Sequence, residues 1–421
     1  MKRFIKNSYL IHKETINDYL WRSLQVFGKQ GITFLIFILC AKLLSLYDFG
    51  VYNYILAVVF FLIIFGDFGI STATSKYVAE YAVKDKAKLR GVLFNSGIII
   101  LFLTIIVALV TISIGPWYFD EKYIYVLYLL PIIFLAPMTS LYDGIYRGLK
   151  CFKKLAIISL IVGIIFIPII YYSITTYGLR GALISQNIFY LFLLIGLSLG
   201  YKDFDYKWNK EILKEIGKYS LIIGTASIGY FMFSRVGILI LERFNYIVEI
   251  GIYEISNKII IIMLLPFSIL CQVIAPRVTT SYYSKDKVKL KTTIKNYITL
   301  SFITGIVFSV LAFYTFPLFV NIFLKEYINT NILWIIKLFL IAFPTYVVSY
   351  ILANGFSIYT GDASMNAKML IIFGIINILF LPPILYYFGF KSFIYFTILI
   401  QIITNVVFSI YYLTKLFNKI R

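Results

Sequence analysis

Four basic side chains lie inside stretches of this 421-residue sequence that are otherwise almost entirely apolar. A cation placed in hydrocarbon costs about 2.5–3.5 kcal/mol, so such a residue is usually kept for a function or paired with another group. An arginine can hold a phosphate through two parallel hydrogen bonds, whereas a lysine acts as a point charge. Three of these residues lie well inside their stretches, and the fourth lies near an end, where its ammonium can reach water. In that order they are Lys29, Arg235, Lys258 and Lys337.

Two acidic residues lie where they could pair with these cations or with an ion. Glu254 is expected on the helix that follows Arg235, and the two side chains could form an internal ion pair. Asp67 falls in the cytoplasmic part of the second predicted helix. There it could pair with Lys76, or it could carry a coupling proton or cation. For each acid, the sequence leaves open whether it forms an ion pair or acts as a coupling group.

Metal chemistry and nucleophilic catalysis of the Ser-His or Cys-His kind are nearly excluded by composition. The only histidine is His12, in a polar segment, and the three cysteines are scattered through the chain as Cys40, Cys151 and Cys271. The glycine-rich segments lack the strand–turn–helix setting of nucleotide sites, and no Walker-type Gly-Lys-Ser/Thr sequence occurs. We therefore expect neither a metal site nor an enzyme.

The elements that must position these residues are membrane-spanning helices. The chain is 61% hydrophobic and 14% charged, with a mean hydropathy of +0.89, whereas soluble domains carry about 25% charged residues. Since a spanning helix needs about 20 apolar residues, we predict an all-α integral membrane protein with twelve such helices. They are expected near residues 21–41, 47–75, 91–114, 123–146, 155–175, 178–200, 219–241, 247–274, 297–323, 332–356, 368–387 and 392–413.

The net charge of +20 reflects membrane topology rather than nucleic-acid binding. With the N-terminus inside, 29 of the 39 lysines and arginines fall in cytoplasmic segments. Lys and Arg are enriched in cytoplasmic loops, so both termini are expected in the cytoplasm. The clusters in those loops could also attract anionic lipid head groups.

An internal repeat at an offset of 201 residues predicts two lobes. Residues 48–52 (DFGVY) match residues 249–253 (EIGIY), and the matched acids Asp48 and Glu249 are expected to begin helices, where negative charge is favourable. Each half has an even number of helices, so the halves should be parallel repeats related by a pseudo-twofold axis along the membrane normal. We predict a lobe over 1–200, a cytoplasmic linker over 201–218 and a second lobe over 219–421.

Four segments together resemble the polysaccharide-biosynthesis flippases, the lipid-linked oligosaccharide (O-antigen type) branch of the multidrug/oligosaccharidyl-lipid/polysaccharide exporter (MOP) superfamily. They are residues 42–52 (KLLSLYDFGVY), 66–73 (GDFGISTA), 144–150 (GIYRGLK) and 177–182 (YGLRGA). Within these segments, the signature residues for which we expect structural roles are Asp48, Gly50, Tyr52, Arg147 and Gly148. Arg147 could also simply pair with Asp143, four residues earlier on the same helix.

The resemblance implies a MATE-like fold with two six-helix lobes around a central cavity that opens alternately to either face. It implies undecaprenyl-pyrophosphate-linked oligosaccharide as cargo and helices one, two, seven and eight as the cavity border, which makes Lys29, Arg235 and Lys258 the anion-binding candidates. No cofactor is expected beyond a coupling ion, H⁺ or Na⁺. The implied location is the bacterial cytoplasmic (inner) membrane, and a polysaccharide polymerase and a chain-length regulator are the expected partners besides membrane lipids.

Three other functions stay open at the level of sequence. A membrane polymerase, ligase or glycosyltransferase would act on the same lipid, but the predicted outer turns are short and contain one adjacent acidic pair, Asp120-Glu121. A cation-coupled drug exporter of the same superfamily would suit an acidic cavity, whereas the intramembrane charge here is mainly basic. A non-transporting scaffold would not need lysines at membrane depth.

Overall fold

The computed structural model describes residues 2–202, 204–283, 287–360 and 362–420, and within them every regular element is helical. The α-helices in the first half of the chain are α1 (Lys2–Leu43), α2 (Leu46–Asp67), α3 (Ile70–Lys84), α4 (Lys86–Phe119), α5 (Tyr123–Tyr128), α6 (Ile132–Gly148) and α7 (Phe152–Leu199). Those in the second half are α8 (Lys210–Ser234), α9 (Val236–Arg243), α10 (Ile247–Met263), α11 (Leu265–Tyr283), α12 (Lys287–Phe323), α13 (Ile332–Ile351) and α14 (Ala363–Ile420).

These elements form twelve helices at the predicted places in the described part of the chain, so the all-α membrane fold is confirmed. Among the residues that the structure describes, eight helical stretches are long and apolar enough to cross a membrane, and the bent pair α8–α9 makes a ninth if it is counted as one span. Two of the eight are double, because α7 and α14 have 48 and 58 residues. At 1.5 Å per residue they would be about 72 and 87 Å long, more than twice a hydrocarbon core of about 30 Å.

Each double helix is interrupted at one glycine. Gly178 has φ 57° and Gly389 has φ 73°, with ψ values far from helical. This region of backbone space is open almost only to glycine, so these two residues let the chain reverse where the sequence predicted a turn.

Four predicted helices are each divided in the structure. The one predicted over 123–146 is interrupted after Tyr128, where α5 ends, and resumes at Ile132, where α6 begins. The one predicted over 47–75 breaks at Phe68 and Gly69, which have φ 38° and 79°. The one over 219–241 bends by 47° at Arg235, and the one over 247–274 is interrupted at Leu264. Hydrophobic length alone does not reveal these breaks, because every segment between them remains apolar. Helix α1 also begins at Lys2, well before residue 21, because the polar residues that precede the apolar segment can also adopt helical structure.

The chain forms two compact units, residues 1–44 with 55–227 and residues 45–54 with 228–421. The first unit packs α3, α4, α6 and α7 around a buried core that includes Ile70, Leu141, Ile145 and Leu197. The buried hydroxyl of Tyr146 on α6 donates to the Leu197 carbonyl on α7 at 3.0 Å. Glycine allows α1 and α7 to approach closely, because a Cβ at Gly163 would lie 2.4 Å from the Ile32 side chain.

The second unit contains the start of α2 together with α9 to α14. Ser45 and Asp48 form a cap at the beginning of α2, in which the Ser45 hydroxyl donates to Asp48 at 2.9 Å and accepts from the Asp48 N–H at 3.0 Å. Glu249 occupies the corresponding first turn of α10. Near the end of α14, Lys415 forms an ion pair of 2.7 Å with the buried Asp362.

Candidate functional site

The centre of the candidate site is an ion pair between Arg235 and Glu254. Arg235 lies at the break between α8 and α9, with non-helical backbone angles of φ −127° and ψ −21°. Its guanidinium Nη1 donates to Glu254 Oε2 on α10 at 2.5 Å. The two side chains are 22% and 5% exposed, so the pair is largely removed from solvent. The break in the helix turns Arg235 out of the regular helical pattern at the point where it meets α10.

The remaining oxygen of Glu254 also has a partner. Asn257, three residues further along α10, donates through Nδ2 to Glu254 Oε1 at 3.4 Å. Lys258 lies one helical turn beyond Glu254 on α10 and is half-buried. The three charged side chains therefore bring two positive charges and one negative charge to one region of the second unit.

A polar cavity of about 330 Å³ lies beside this ion pair, inside the second unit. Its walls come from α8–α9, α10, α13 and both arms of α14, and among the described residues Arg235 is the only charged one that lines it. The lining is dominated by uncharged hydrogen-bonding groups. They are Asn257, Asn354, Asn366, Asn377, Asn405, Gln401, Ser234, Ser349, Thr397, Thr404, Tyr230, Tyr253, Tyr346 and Tyr350.

Sequence reasoning missed this cavity, although one signal was present. On the second arm of α14, Thr397, Gln401, Thr404 and Asn405 recur at the spacing of one helix face within an otherwise apolar segment. On α13 and the π-helical turn that continues it (Leu352–Ser357), Tyr346, Tyr350 and Asn354 follow each other at four-residue intervals. Polar groups gathered on one face of a spanning helix indicate a buried polar contact or a cavity.

The other two predicted site residues lie in the first unit. Lys29, on α1, has an exposed side chain, and no hydrogen bond or ion pair of its ammonium is found with the described residues. Asp67 ends α2 and accepts hydrogen bonds from the Ser71 backbone N–H at 3.1 Å and from the Ser71 hydroxyl, so it caps the start of α3. The ammonium of Lys76 lies instead over the rings of Tyr77 and Tyr219, at 4.7 and 4.1 Å. The described contacts of Asp67 and Lys76 are thus with Ser71 and with the two tyrosine rings.

The signature residues hold helices together. Gly50 and Gly148 are sites of close approach: a Cβ at Gly50 would lie 1.9 Å from the Ile247 carbonyl oxygen, and one at Gly148 would lie 2.8 Å from the Ser75 carbonyl oxygen. Tyr52 is buried, with its ring stacked near Phe49 at 6.3 Å. Arg147 Nε is 2.7 Å from Asp143 Oδ2, the intrahelical pair that the spacing predicted.

The remaining intramembrane lysine, Lys337, has an aromatic partner. Its ammonium lies 4.9 Å from the centre of the Phe313 ring. Ring and ammonium attract each other electrostatically, which makes the charge less costly near the helix end. Lys337 is therefore the least suitable of the four cations for binding a ligand.

The polar segment predicted as a linker packs on the first unit. Asn95 on α4 donates to the Lys207 carbonyl at 2.9 Å and accepts from the Asn209 N–H at 2.9 Å. Beyond it, Tyr81 donates to Glu215, and burial, reinforced by this carboxylate, raises the pKa of the Tyr81 hydroxyl. Residues 204–218 thus belong to the first compact unit, while the proposed lobe boundaries stay a prediction.

Among the described residues, no three histidine, cysteine, aspartate or glutamate side chains lie close enough to hold a metal ion. Cys40 and Cys271 are buried. What the described arrangement offers is a buried ion pair, additional positive charge and a neutral hydrogen-bonding cavity. Such groups can bind and position a polar ligand.

The fold is that of the MOP-superfamily transporters. An inward-facing multidrug-resistance MATE family transporter superimposes with a TM-score of 0.77 at 14% identity, covering 94% of both chains. A MOP-superfamily transporter from Pyrococcus furiosus, whose binding pocket is described as reversed in polarity, gives 0.64 at 15% identity over 94% of this chain and 95% of that one. A point mutant of the Vibrio cholerae MATE transporter VcmN gives 0.69 at 11% identity over 96% and 97%.

The family is shown by the sequence itself. Residues 16–281 match the family described as "Polysaccharide biosynthesis protein", which is more than half of the chain, and the protein belongs to that family. No match was found among curated proteins. The predicted membership of a polysaccharide-biosynthesis family is therefore confirmed, and the fold matches that of MOP-superfamily transporters.

Proposed function

We propose that the protein is a flippase that moves undecaprenyl-pyrophosphate-linked oligosaccharide units from the cytoplasmic to the outer leaflet by alternating access. The product would serve assembly of O-antigen, capsule or another surface polysaccharide. One observation carries the proposal: a chain with the fold of membrane transporters belongs to a polysaccharide biosynthesis family. A transporter in that process has lipid-linked glycan as its natural cargo.

The charges in the helices suit this cargo. A pyrophosphate bearing sugars cannot cross hydrocarbon without a polar path, and its negative charge favours a path with fixed cations. Arg235 and Lys258 lie in one region of the second unit, and Lys29 is exposed on α1 of the first. Arg235 has a donor group suited to phosphate, and Lys29 and Lys258 supply positive charge.

The drug-exporter alternative is less well supported by the same charges. Within this superfamily, reversed polarity of the binding pocket of the Pyrococcus furiosus protein is said to suggest a different function. In the present chain, three of the four intramembrane cations are candidates for binding an anion, whereas of the two acids Glu254 is paired with Arg235 and Asp67 caps a helix. An excess of positive charge favours an anionic cargo over a cationic drug.

The polymerase or glycosyltransferase alternative would need catalytic groups outside the membrane. The connections on the predicted outer side are short. Leu44 and Ser45 join α1 to α2, and the three residues from Phe244 to Tyr246 join α9 to α10. Asp120 and Glu121 lie in a single 3₁₀ turn after α4. These connections are better suited to joining helices than to building a catalytic domain.

The proposed setting is the bacterial cytoplasmic membrane, with both termini in the cytoplasm, as the distribution of basic residues suggests. The proposed lobes are residues 1–200 and 219–421. A coupling ion, H⁺ or Na⁺, would drive the cycle. A polymerase and a chain-length regulator are the proposed partners, since they would act on the glycan once it reaches the outer leaflet.

Reconstitution tests the proposal. Liposomes with and without the protein would receive lipid-linked oligosaccharide extracted from the producing cell, and a membrane-impermeant lectin would report the fraction on the outer leaflet over time. We expect the protein to accelerate exchange between leaflets without lengthening the glycan. Exchange no faster than in protein-free liposomes would refute the flippase, and lengthened glycan would instead favour the polymerase.

A further inference from the structure

The polar cavity of the second unit carries an inference that rests on the proposed function. Two of its lining residues have buried polar atoms without a hydrogen-bond partner, Oδ1 of Asn377 and Nδ2 of Asn405. Both residues are nearly fully buried, at 3% and 6% exposed. Buried polar atoms are normally satisfied, so two unpartnered atoms in residues that line one cavity indicate a missing binding group.

The orientation of the Asn377 amide is set by its surroundings. Its Nδ2 donates to the Phe233 carbonyl on α8 at 3.0 Å, so its oxygen is the end left as a free acceptor. Asn405, on the other arm of α14, offers a free donor. A ligand that satisfies both must donate one hydrogen bond and accept another. A hydroxyl group does both, whereas a bare cation satisfies only the oxygen and an anion only the N–H.

The rest of the lining has the same character. The hydroxyls of Ser234, Thr397 and Thr404 donate to carbonyls of their own helices, which leaves their oxygen lone pairs as acceptors. Tyr346 and Tyr350 contribute aromatic surface against which an apolar ring face can pack. Apart from Arg235, which is held in its ion pair with Glu254, the lining offers uncharged groups to an occupant.

The size of the cavity limits the ligand. Its volume of about 330 Å³ lies at the low end of the range for small-molecule sites, about 300–1,000 Å³. A single small ring with several hydroxyl groups suits this space, and an oligosaccharide does not. Water alone could fill part of the cavity, but water would not pack against the aromatic rings that line it.

We propose that this cavity is a sugar-binding subsite that holds one neutral sugar residue of the cargo glycan, with Asn377 and Asn405 as the residues that recognise its hydroxyl groups. The subsite would make transport depend on the glycan as well as on the pyrophosphate. Its position next to Arg235 lets one region of the second unit contact both the charged and the neutral parts of a sugar-phosphate head.

The test uses purified full-length protein and the repeat unit released from the producing cell's own polysaccharide, with its component monosaccharides as further probes. Saturation-transfer NMR and calorimetry would measure binding. We expect saturable binding that weakens at least tenfold in Asn377→Leu and in Asn405→Leu. We also expect unchanged binding when sodium is replaced by choline.

A matched control is available in the first unit. Asn187 likewise has a buried, unpartnered Oδ1 and an Nδ2 that donates to a backbone carbonyl, that of Tyr128, but it does not line the cavity. Asn187→Leu should leave sugar binding intact. Asn405→Leu removes a donor that has no partner, so it should keep or raise thermal stability while it weakens binding at least tenfold. That pattern separates loss of a ligand contact from misfolding.

Three results would overturn the subsite. They are no saturable binding of the released repeat unit, equal binding by all the variants, or binding of sodium alone that the two cavity variants abolish. Leaflet exchange of the lipid-linked oligosaccharide is measured separately. Normal exchange with no sugar binding would refute the subsite and leave the flippase standing, whereas sugar binding without exchange would refute the flippase.

Discussion

Gly50 and Gly251, which occupy equivalent positions in the two sequence repeats, lie against each other in the second compact unit. A Cβ at Gly251 would be 3.5 Å from the backbone nitrogen of Gly50 and 2.9 Å from the Phe49 ring. The beginnings of α2 and α10 therefore pack backbone to backbone. The repeat that the sequence indicates is thus matched by a direct contact between its two copies.

Gly50→Ala should strongly destabilise the protein. The added methyl group would lie 1.9 Å from the Ile247 carbonyl oxygen and 2.7 Å from its carbon, and backbone atoms cannot rotate away as a side chain can. Overpacking of this kind typically costs about 1–3 kcal/mol. Thermal unfolding in detergent would measure the loss. Gly31→Ala is the control, because nothing lies within 4 Å of a Cβ there, and it should be neutral or stabilising.

Removing one member of the Arg235–Glu254 pair should be more harmful than removing both. Arg235→Gln or Glu254→Gln leaves a buried charge without its partner, at a cost of about 3–5 kcal/mol, whereas a double apolar replacement is often tolerated. We expect both single variants to be unstable and Arg235→Leu with Glu254→Leu to recover stability but not transport. Asp143→Asn is the control, because its i,i+4 pair with Arg147 is more exposed than the Arg235–Glu254 pair and such helix pairs contribute only about 0.3–0.5 kcal/mol. A double variant no more stable than either single one would contradict this account.

Lys29→Ala and Lys258→Ala should each abolish surface polysaccharide without lowering the amount of protein in the membrane. The physical reason is the loss of positive charge from the path of an anionic head group. Lys29→Arg and Lys258→Arg keep the charge and should retain activity. Lys337→Ala serves as the matched control, because Lys337 lies over the Phe313 ring and should not affect transport. Normal polysaccharide in both alanine variants would argue against an anion-binding role.

Asp67→Asn should leave transport nearly unchanged. An asparagine retains the side-chain oxygen that accepts from the Ser71 N–H, so the cap of α3 survives. Asp67→Ala loses that cap and should lower stability by about 0.5–2 kcal/mol. Unfolding temperature and surface polysaccharide would be measured together. Complete loss of transport in a stable Asp67→Asn protein would show instead that the charge itself is required, as a coupling acid would be.

The twelve helices were predictable because their signal is local. Hydrophobic length marks each one, and Gly178 and Gly389 mark two of the turns through backbone angles that only glycine adopts readily. The breaks at Phe68 and Leu264 interrupt no apolar run, so hydropathy could not reveal them. They depend on how neighbouring helices pack.

The candidate site was predictable only in its charges. Arg235 and Glu254 are conspicuous because cations and acids are rare in these helices, and their pairing was one of the two alternatives for them. The cavity beside them is assembled from asparagine, threonine and tyrosine on several helices that are distant in sequence. Each of these residues is unremarkable alone. Only the tertiary arrangement leaves Asn377 Oδ1 and Asn405 Nδ2 without partners.

The most direct test of the flippase is the leaflet on which its cargo accumulates when the protein is depleted. Cells lacking the protein would be treated with a membrane-impermeant lectin or glycosidase, and the protected fraction of lipid-linked oligosaccharide would be measured. We predict accumulation of single repeat units on the cytoplasmic leaflet, reversed by the wild-type protein. Accumulation of single units on the outer leaflet would contradict the proposal and would favour a polymerase.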